Sequence, residues 1–239
     1  MMIMNKIFYI VEGPPNLGED NIESFEFLNS EKSPIDLVEE FYNKIDTENI
    51  FIISSSKALS GREYIFRSAR PFGKNVYFLE SKSLGSGPYL LAKYGFSLEK
   101  RGFRPREVYN ILADKRRDLK FYCLLNNLES LKDNNILGNI KYKKPIFKDN
   151  YYLLSVDERG ILYEISKAHS LKKVLSKFEE LIKEDLRLKF NYSMAMTYGD
   201  ENLRIESEEI ILREIEKANF YKALEINLPY GLLTVNILK

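Results

Sequence analysis

Two hydroxyl-rich turns carry the side chains of this sequence that are best suited to bind a polar ligand. The first is Ser54-Ser55-Ser56-Lys57-Ala58-Leu59-Ser60-Gly61, and the second is Glu80-Ser81-Lys82-Ser83-Leu84-Gly85-Ser86. Each turn follows a run of β-branched and aromatic residues that predicts a buried strand. Ligands of open α/β sheets bind at the carboxyl ends of parallel strands. The hydroxyl and backbone N–H groups of these turns therefore predict a site for an anionic or polar head group.

The other residues with reactive side chains predict no second site. The single cysteine, Cys123, lies in an apolar run and is interpreted as a buried thiol, because a reactive thiolate needs an accessible, electropositive setting. The single histidine, His169, precedes an amphipathic helix and is interpreted as a surface residue. One histidine and one cysteine cannot form a zinc site of the usual spacing. Gly85-Ser86-Gly87-Pro88 lacks the complete pattern of a phosphate-binding loop, so it is interpreted as the flexible start of a helix.

Composition excludes several broad classes of function. The chain has 239 residues, with 36 Lys and Arg against 35 Asp and Glu, a formal charge of +1. That balance gives no electrostatic argument for binding nucleic acid or an anionic membrane. No apolar run approaches the roughly 20 residues of a membrane span. Residues 1–11 lack the pattern of a signal peptide, and one cysteine is compatible with a reducing compartment. The prediction is a soluble cytoplasmic protein.

The first half of the chain alternates between strand and helix patterns. Ser33 is predicted to cap a helix that starts at Pro34, with Asp36 as its capping-box partner. Alternating units of this kind predict an α/β domain with a mainly parallel sheet between helices. The predicted strands cover residues 6–11, 50–54, 75–80 and 119–125, and the predicted helices cover 34–45, 62–70, 88–100 and 106–115.

The second half has a different pattern. Short aromatic and aliphatic runs between residues 144 and 165 have the spacing of β-hairpins. Helices are predicted at 170–186 and 207–218, and strands at 191–197 and 232–238. We therefore predict two domains: an α/β N-terminal domain with the head-group site at residues 1–140, and a smaller α+β domain with a largely antiparallel sheet at 141–239.

The order and spacing of these motifs resemble the DegV family. Residues 53–61 resemble the family's Ile-Ser-Ser…Leu-Ser-Gly turn, and Glu80-Ser81-Lys82-Ser83 resembles its Asp-Ser-Lys-Ser segment. Asn127-Leu128-Glu129-Ser130-Leu131 is similar to the family's Thr-Leu-Glu-Tyr-Leu, and Lys144-Pro145-Ile146 to its Lys-Pro-Ile. The segment 29–34 falls where the family carries Thr-Ser-Gln-Pro-Ser. The resemblance covers most of the chain from about Asn29 onward.

The resemblance implies a carrier rather than an enzyme. The family includes the fatty-acid-binding subunits of the bacterial fatty acid kinase system. Its members hold a long-chain fatty acid in an apolar tunnel between two domains and present the carboxylate to a separate ATP-using kinase subunit. By this resemblance the chain has no catalytic residue, no metal and no cofactor other than the bound fatty acid. It is expected to be a monomer that contacts membranes transiently and binds no nucleic acid.

Carried over by position, the resemblance implies an altered head-group site. The family's histidine is replaced by Asn227, its first threonine by Asn29 and the threonine of its Ser-Gly-Thr turn by Arg62. Glu12-Gly13 stands where the family has Asp-Ser. The fatty-acid-binding residues implied by the resemblance are Asn29, Ser30, Ser60, Gly61, Arg62 and Asn227.

Each of these assignments has an alternative. Ser60 with Glu63 fits a capping box, which needs no ligand. Arg62 could pair with a ligand carboxylate through its planar fork, or with Glu31, Glu63 or water. A degenerate family member that acts through protein contacts without lipid is the alternative function. A third hypothesis, a hydrolase-like or phosphate-handling enzyme, lacks the Gly-x-Ser-x-Gly elbow.

Overall fold

A four-stranded parallel sheet forms the first part of the molecule. The computed structural model describes residues 6–12, 22–25, 32–60, 62–69, 73–126, 128, 131, 150–186, 192–214, 219–224 and 232–239. The strands lie in the order β2-β1-β3-β4, and every neighbouring pair is parallel. The elements of this part are β1 (Ile7–Val11), β2 (Ile22–Ser24), α1 (Pro34–Lys44), β3 (Asn49–Ser54), α2 (Glu63–Ser68), β4 (Asn75–Glu80), α3 (Gly87–Lys100) and α4 (Pro105–Lys115).

Helices cover both faces of this sheet because successive side chains of a strand point to opposite faces. On β3, Ile50 and Ile52 pack with residues of α1 and α2, whereas Phe51 and Ile53 pack with residues of α3 and α4. Ser33 caps α1, since its Oγ accepts a hydrogen bond from the backbone N–H of Asp36 at 3.2 Å. The predicted α/β architecture and the predicted cap are confirmed.

A six-stranded sheet forms the second part. Its strand order is β7-β6-β5-β10-β8-β9, and all pairs are antiparallel except the parallel pair of β8 and β9. The predicted antiparallel character is therefore confirmed. The elements are β5 (Leu119–Leu125), β6 (Tyr151–Val156), β7 (Leu162–Ala168), α5 (Leu171–Asp185), β8 (Ser193–Tyr198), α6 (Glu201–Glu214), β9 (Asn219–Leu224) and β10 (Leu232–Leu238).

The two faces of the second sheet have different neighbours. Tyr122 and Leu124 of β5 pack with residues of α5 and α6. Phe121, Cys123 and Leu125 alternate with them and belong to a separate apolar cluster on the other face. On that other face, Ala195 of β8 and Leu238 of β10 pack with residues of α3, which also packs on the first sheet. Helix α3 therefore lies between the two sheets.

Three features differ from the sequence-based expectations. The strand β5 was predicted within the first sheet, but it pairs with β6 and β10 of the second. Helix α6 begins at Glu201 rather than at residue 207, because the Asp200 carboxylate accepts the backbone N–H groups of Asn202 and Leu203. The strands β2 and β9 were not predicted. The proposed domain boundary near Ile140 lies outside the described residues and stays a prediction.

Candidate functional site

The carboxyl ends of β1, β3 and β4 lie side by side at one edge of the first sheet. The backbone N–H of Ser81 donates to the carbonyl of Ser54 at 2.8 Å, and that of Ser56 donates to the carbonyl of Ser83 at 2.7 Å. The N–H of Glu12, just after β1, donates to the Ile53 carbonyl at 3.1 Å. The two hydroxyl-rich turns are therefore adjacent, as predicted from their positions after parallel strands.

Glu12 places a buried carboxylate in this edge. Glu12 is only 5% exposed to solvent. Its Oε2 accepts the backbone N–H of Ser55 at 3.0 Å, and the Ser60 side chain is also hydrogen-bonded to the carboxylate. Burial raises the pKa of Glu12, while the hydrogen bonds from Ser60 and Ser55 and the charge of Arg62 act in the opposite direction. The carboxylate of Glu12 stands at the position of the aspartate in the Asp-Ser pattern described above.

Ser60 contributes to this carboxylate site rather than to a helix cap. Its backbone N–H donates to the carbonyl of Ser56 at 2.9 Å, and its Oγ accepts the N–H of Arg62 at 3.4 Å. The N-cap of α2 is Arg62, which makes no side-chain capping bond, so the capping-box interpretation of Ser60 and Glu63 is wrong. Glu63 instead pairs with Arg67 at 2.5 Å.

Of the six implied binding residues, the structure brings two together. Ser60 is half-buried and Arg62 is exposed, and both act on the Glu12 carboxylate. Asn29, Ser30, Gly61 and Asn227 lie outside the described residues. Their part in the site stays a prediction.

A polar seam joins the second turn and the start of α3 to the second sheet. Ser86 Oγ donates to the carbonyl of Ala195 at 2.9 Å. The Nδ2 of Asn236, which is fully buried, donates to the carbonyl of Leu84 at 3.0 Å and lies 3.2 Å from Ser86 Oγ. The hydroxyls of Thr197 and Thr234 are hydrogen-bonded at 2.6 Å. The start of α3, which was interpreted from the sequence as flexible, is buried and makes these contacts with the second sheet.

The residues of this seam on the second sheet were not predicted from the sequence. Thr234 and Asn236 are the two polar residues of the otherwise apolar strand β10, and their spacing of two places them on one face. Buried polar groups require partners. That spacing was a usable sign of a polar contact on this face of the sheet.

Both hydroxyl-rich turns also contact the hairpin of β6 and β7. Ser56 Oγ donates to the carbonyl of Gly160 at 2.9 Å. The Lys82 side chain donates to the carbonyl of Glu158. Lys82 has a φ of 58°, a conformation that residues with a Cβ seldom adopt. Both turns are thereby held against the second sheet and its hairpin.

An apolar cluster begins where the hydroxyl-rich turns end. Leu59 of the first turn is a buried member of this cluster, and Leu84 of the second turn packs against it. We call it the inter-sheet apolar cluster. Its other buried members come from the second sheet and from the chain after β5: Phe121, Cys123, Leu125, Leu128, Leu131, Tyr152, Leu154, Leu162 and Leu232. The hydroxyl-rich turns and this apolar cluster are therefore contiguous.

A cationic cleft of about 870 Å³ adjoins the second turn at Ser81. Four basic side chains line it, from the turn itself, from the segment before β5 and from β5: Lys82, Arg116, Arg117 and Lys120. Asp157 and Glu158 line it as well. The cleft places positive charge beside the hydroxyl-rich turns.

Cys123 contributes a buried apolar side chain to the inter-sheet apolar cluster rather than a reactive thiol. Cys123 is buried, and burial raises the pKa of its thiol to about 12, which keeps it protonated. His169 is exposed at the end of β7. Within the described ranges, no three His, Cys, Asp or Glu side chains are grouped to hold a metal ion. No helix in the described part of the chain is long and apolar enough to cross a membrane.

Comparison with known proteins identifies one family. A family model described as "Uncharacterised protein, DegV family" matches residues 20–228. No curated protein matches the chain by sequence. The resemblance predicted from the motifs is confirmed.

Solved structures of the same family share the fold. DegV of Bacillus subtilis, described as a fatty acid binding protein, has a TM-score of 0.78 at 15% identity, covering 97% of this chain and 98% of that one. A DegV family protein from Ruminococcus gnavus with vaccenic acid has a TM-score of 0.77 at 17% identity, covering 96% and 99%. A Eubacterium eligens protein loaded with heptadecanoic acid has 0.73 at 14%, covering 98% and 100%.

Proposed function

Because the chain belongs to the DegV family, we propose that it binds a long-chain fatty acid or related acyl ligand between its two sheets. The observation that carries this proposal is the continuity of the hydroxyl-rich turns with the inter-sheet apolar cluster through Leu59 and Leu84. Such an arrangement suits an amphiphile, with the head group at Ser60 and the tail on the apolar cluster. The fatty acids bound to relatives from Ruminococcus gnavus and Eubacterium eligens support the same ligand class.

The energetics favour the tail as the main source of affinity. Burying one methylene contributes about 0.8 kcal/mol, so a chain of about 16 carbons gains on the order of 10 kcal/mol before costs. A hydrogen bond to a charged group contributes about 1.5 to 3 kcal/mol. The replacement of family head-group residues by Asn29, Arg62 and Asn227 is therefore compatible with acyl binding.

The proposal assigns the chain no catalysis of its own. A fatty acid kinase subunit that carries ATP is the proposed partner, and it would act on the acyl carboxylate. The cationic cleft beside Ser81 supports this, because Lys82, Arg117 and Lys120 offer positive charge to an acidic surface near the head group. We further propose that the carrier is monomeric and cytoplasmic, since the thiol of Cys123 is buried and reduced. It would collect its ligand by transient membrane contact.

Replacing Ser60 tests the head-group assignment. Delipidated Ser60→Ala should bind palmitic acid about 5 to 150 times more weakly than the parent protein, because a partly desolvated hydrogen bond is lost. Affinity would be measured by displacement of a fluorescent fatty acid. Ser97→Ala, which removes an exposed serine hydroxyl from α3, is the matched control and should bind like the parent protein. Equal affinities for all three proteins would place the head group elsewhere. Absence of acyl binding would favour the alternative function, a family member that acts through protein contacts.

A further inference from the structure

The Glu12 carboxylate is a buried negative charge inside the site proposed for an anionic head group. It follows β1, is 5% exposed and is fixed by its own backbone bond to Ile53. A carboxylate of the ligand and a carboxylate of the protein would meet at the same turn.

The donors nearest the proposed head group are already used by Glu12. The backbone N–H of Ser55 donates to Oε2 at 3.0 Å, and the Ser60 side chain is hydrogen-bonded to the same carboxylate. Ser55 Oγ lies 3.5 Å from the Glu12 carbonyl, on the same strand end. A second carboxylate at Ser60 must therefore share these donors with Glu12 rather than find them free.

The charged side chains around Glu12 do not neutralise the negative charge that an ionised ligand carboxylate would add. Among the described residues, Arg62 and Glu63 are the charged groups that act on Glu12, and they have opposite signs. Arg62 is exposed, so water screens its charge. Burial already disfavours the ionised form of Glu12. When two carboxyl groups share one buried site, one of them retains a proton.

We infer that the site holds only one negative charge, and that a fatty acid binds there with one proton shared between its carboxyl group and the Glu12 carboxylate. The inference rests on the acyl-binding function proposed above and specifies its ligand form. No covalent bond forms or breaks. An ionised acid and an ionised Glu12 take up one proton from solvent on binding. Because the complex holds more protons than the separate partners, raising the pH must weaken it.

Two measurements on the delipidated protein test this. Palmitic acid affinity, measured between about pH 6 and pH 9, should fall by about tenfold for each pH unit over the range in which both free carboxyl groups are ionised. Calorimetric titration in buffers of different ionisation enthalpy should show uptake approaching one proton per ligand. Hexadecanol, which has the same tail and no acid, should bind with no proton uptake. Both readouts use the unmodified chain and do not depend on the folding of a variant.

Glu12→Gln separates this carboxylate from general effects of pH. The amide keeps an acceptor for the Ser55 N–H but has no proton to share. The variant should bind palmitic acid without proton uptake and, at about pH 8, at least tenfold more tightly than the parent protein. Glu63→Gln is the matched control, since it removes a neighbouring carboxylate that is already paired with Arg67, and it should keep the proton uptake of the parent.

The outcomes distinguish this inference from the function on which it rests. If palmitic acid binds without proton uptake and Glu12→Gln behaves like the parent protein, the inference of a shared proton is wrong, while the proposed acyl-binding function stands. If neither palmitic acid nor hexadecanol binds at any pH, the proposed function fails and the inference fails with it. Proton uptake that is lost in Glu12→Gln and kept in Glu63→Gln supports the inference.

Discussion

Gly85→Ala is expected to lower the free energy of unfolding by about 2 to 6 kcal/mol, the largest effect among the substitutions considered for this chain. Gly85 has a φ of 69°, a backbone conformation that is strained for residues with a Cβ. An added Cβ would also lie 2.2 Å from Thr197 Oγ1 and 2.4 Å from Thr234 Oγ1. These two hydroxyls are hydrogen-bonded to each other, so moving either of them away from the added Cβ would break that hydrogen bond of the polar seam.

Gly73→Ala provides a matched control for this prediction. Gly73 has the same φ of 69°, but nothing lies within 4 Å of the position that its Cβ would occupy. This variant should lose only the stability that corresponds to backbone strain at a positive φ, about 1 to 2 kcal/mol. Denaturant unfolding of the two variants and the parent protein measures the difference. Equal losses would show that the start of α3 does not pack closely on Thr197 and Thr234.

Asn236→Ala is expected to cost about 2 to 4 kcal/mol of stability. Asn236 is fully buried, and its Nδ2 contacts the Leu84 carbonyl at 3.0 Å and Ser86 Oγ at 3.2 Å. Truncation removes both contacts and leaves the part-buried carbonyl of Leu84 without this donor. Because Leu84 also packs on the inter-sheet apolar cluster, the remaining folded protein should hold less acyl ligand.

The control for this second prediction is Asn202→Ala, a truncation of the same side chain at an exposed position of α6. Exposed substitutions of this kind change stability by about 0.5 kcal/mol or less. Denaturant unfolding gives both stabilities, and fluorescent fatty acid displacement gives the acyl binding of each folded variant. The importance of the polar seam would be contradicted if Asn236→Ala matched Asn202→Ala in both measurements.

The sequence predicts the elements of this fold better than their partners. The apolar run within residues 119–125 correctly indicated the strand β5, because buried strands have local patterns. Its sheet was not predictable in the same way, since pairing with β10 joins residues more than 100 positions apart. Likewise, helix α6 starts at Glu201 because Asp200 caps it, a signal that was present but not used.

The site was predictable to a similar extent. The positions of the two hydroxyl-rich turns after parallel strands correctly indicated that they are adjacent. The capping alternative for Ser60 was wrong, because a local pattern cannot reveal that the hydroxyl is hydrogen-bonded to a carboxylate distant in sequence, that of Glu12. The polar seam was missed because Thr234 and Asn236 acquire their roles only when α3 docks on the second sheet.

The most direct test of the acyl-carrier account is to determine what the purified protein contains. The protein would be denatured, extracted into organic solvent and analysed by mass spectrometry against a known amount of internal standard. The account predicts close to one long-chain fatty acid per chain, and less from Ser60→Ala than from Ser97→Ala. A protein that yields no acyl chain, and whose melting temperature does not change when palmitic acid is added, would contradict it.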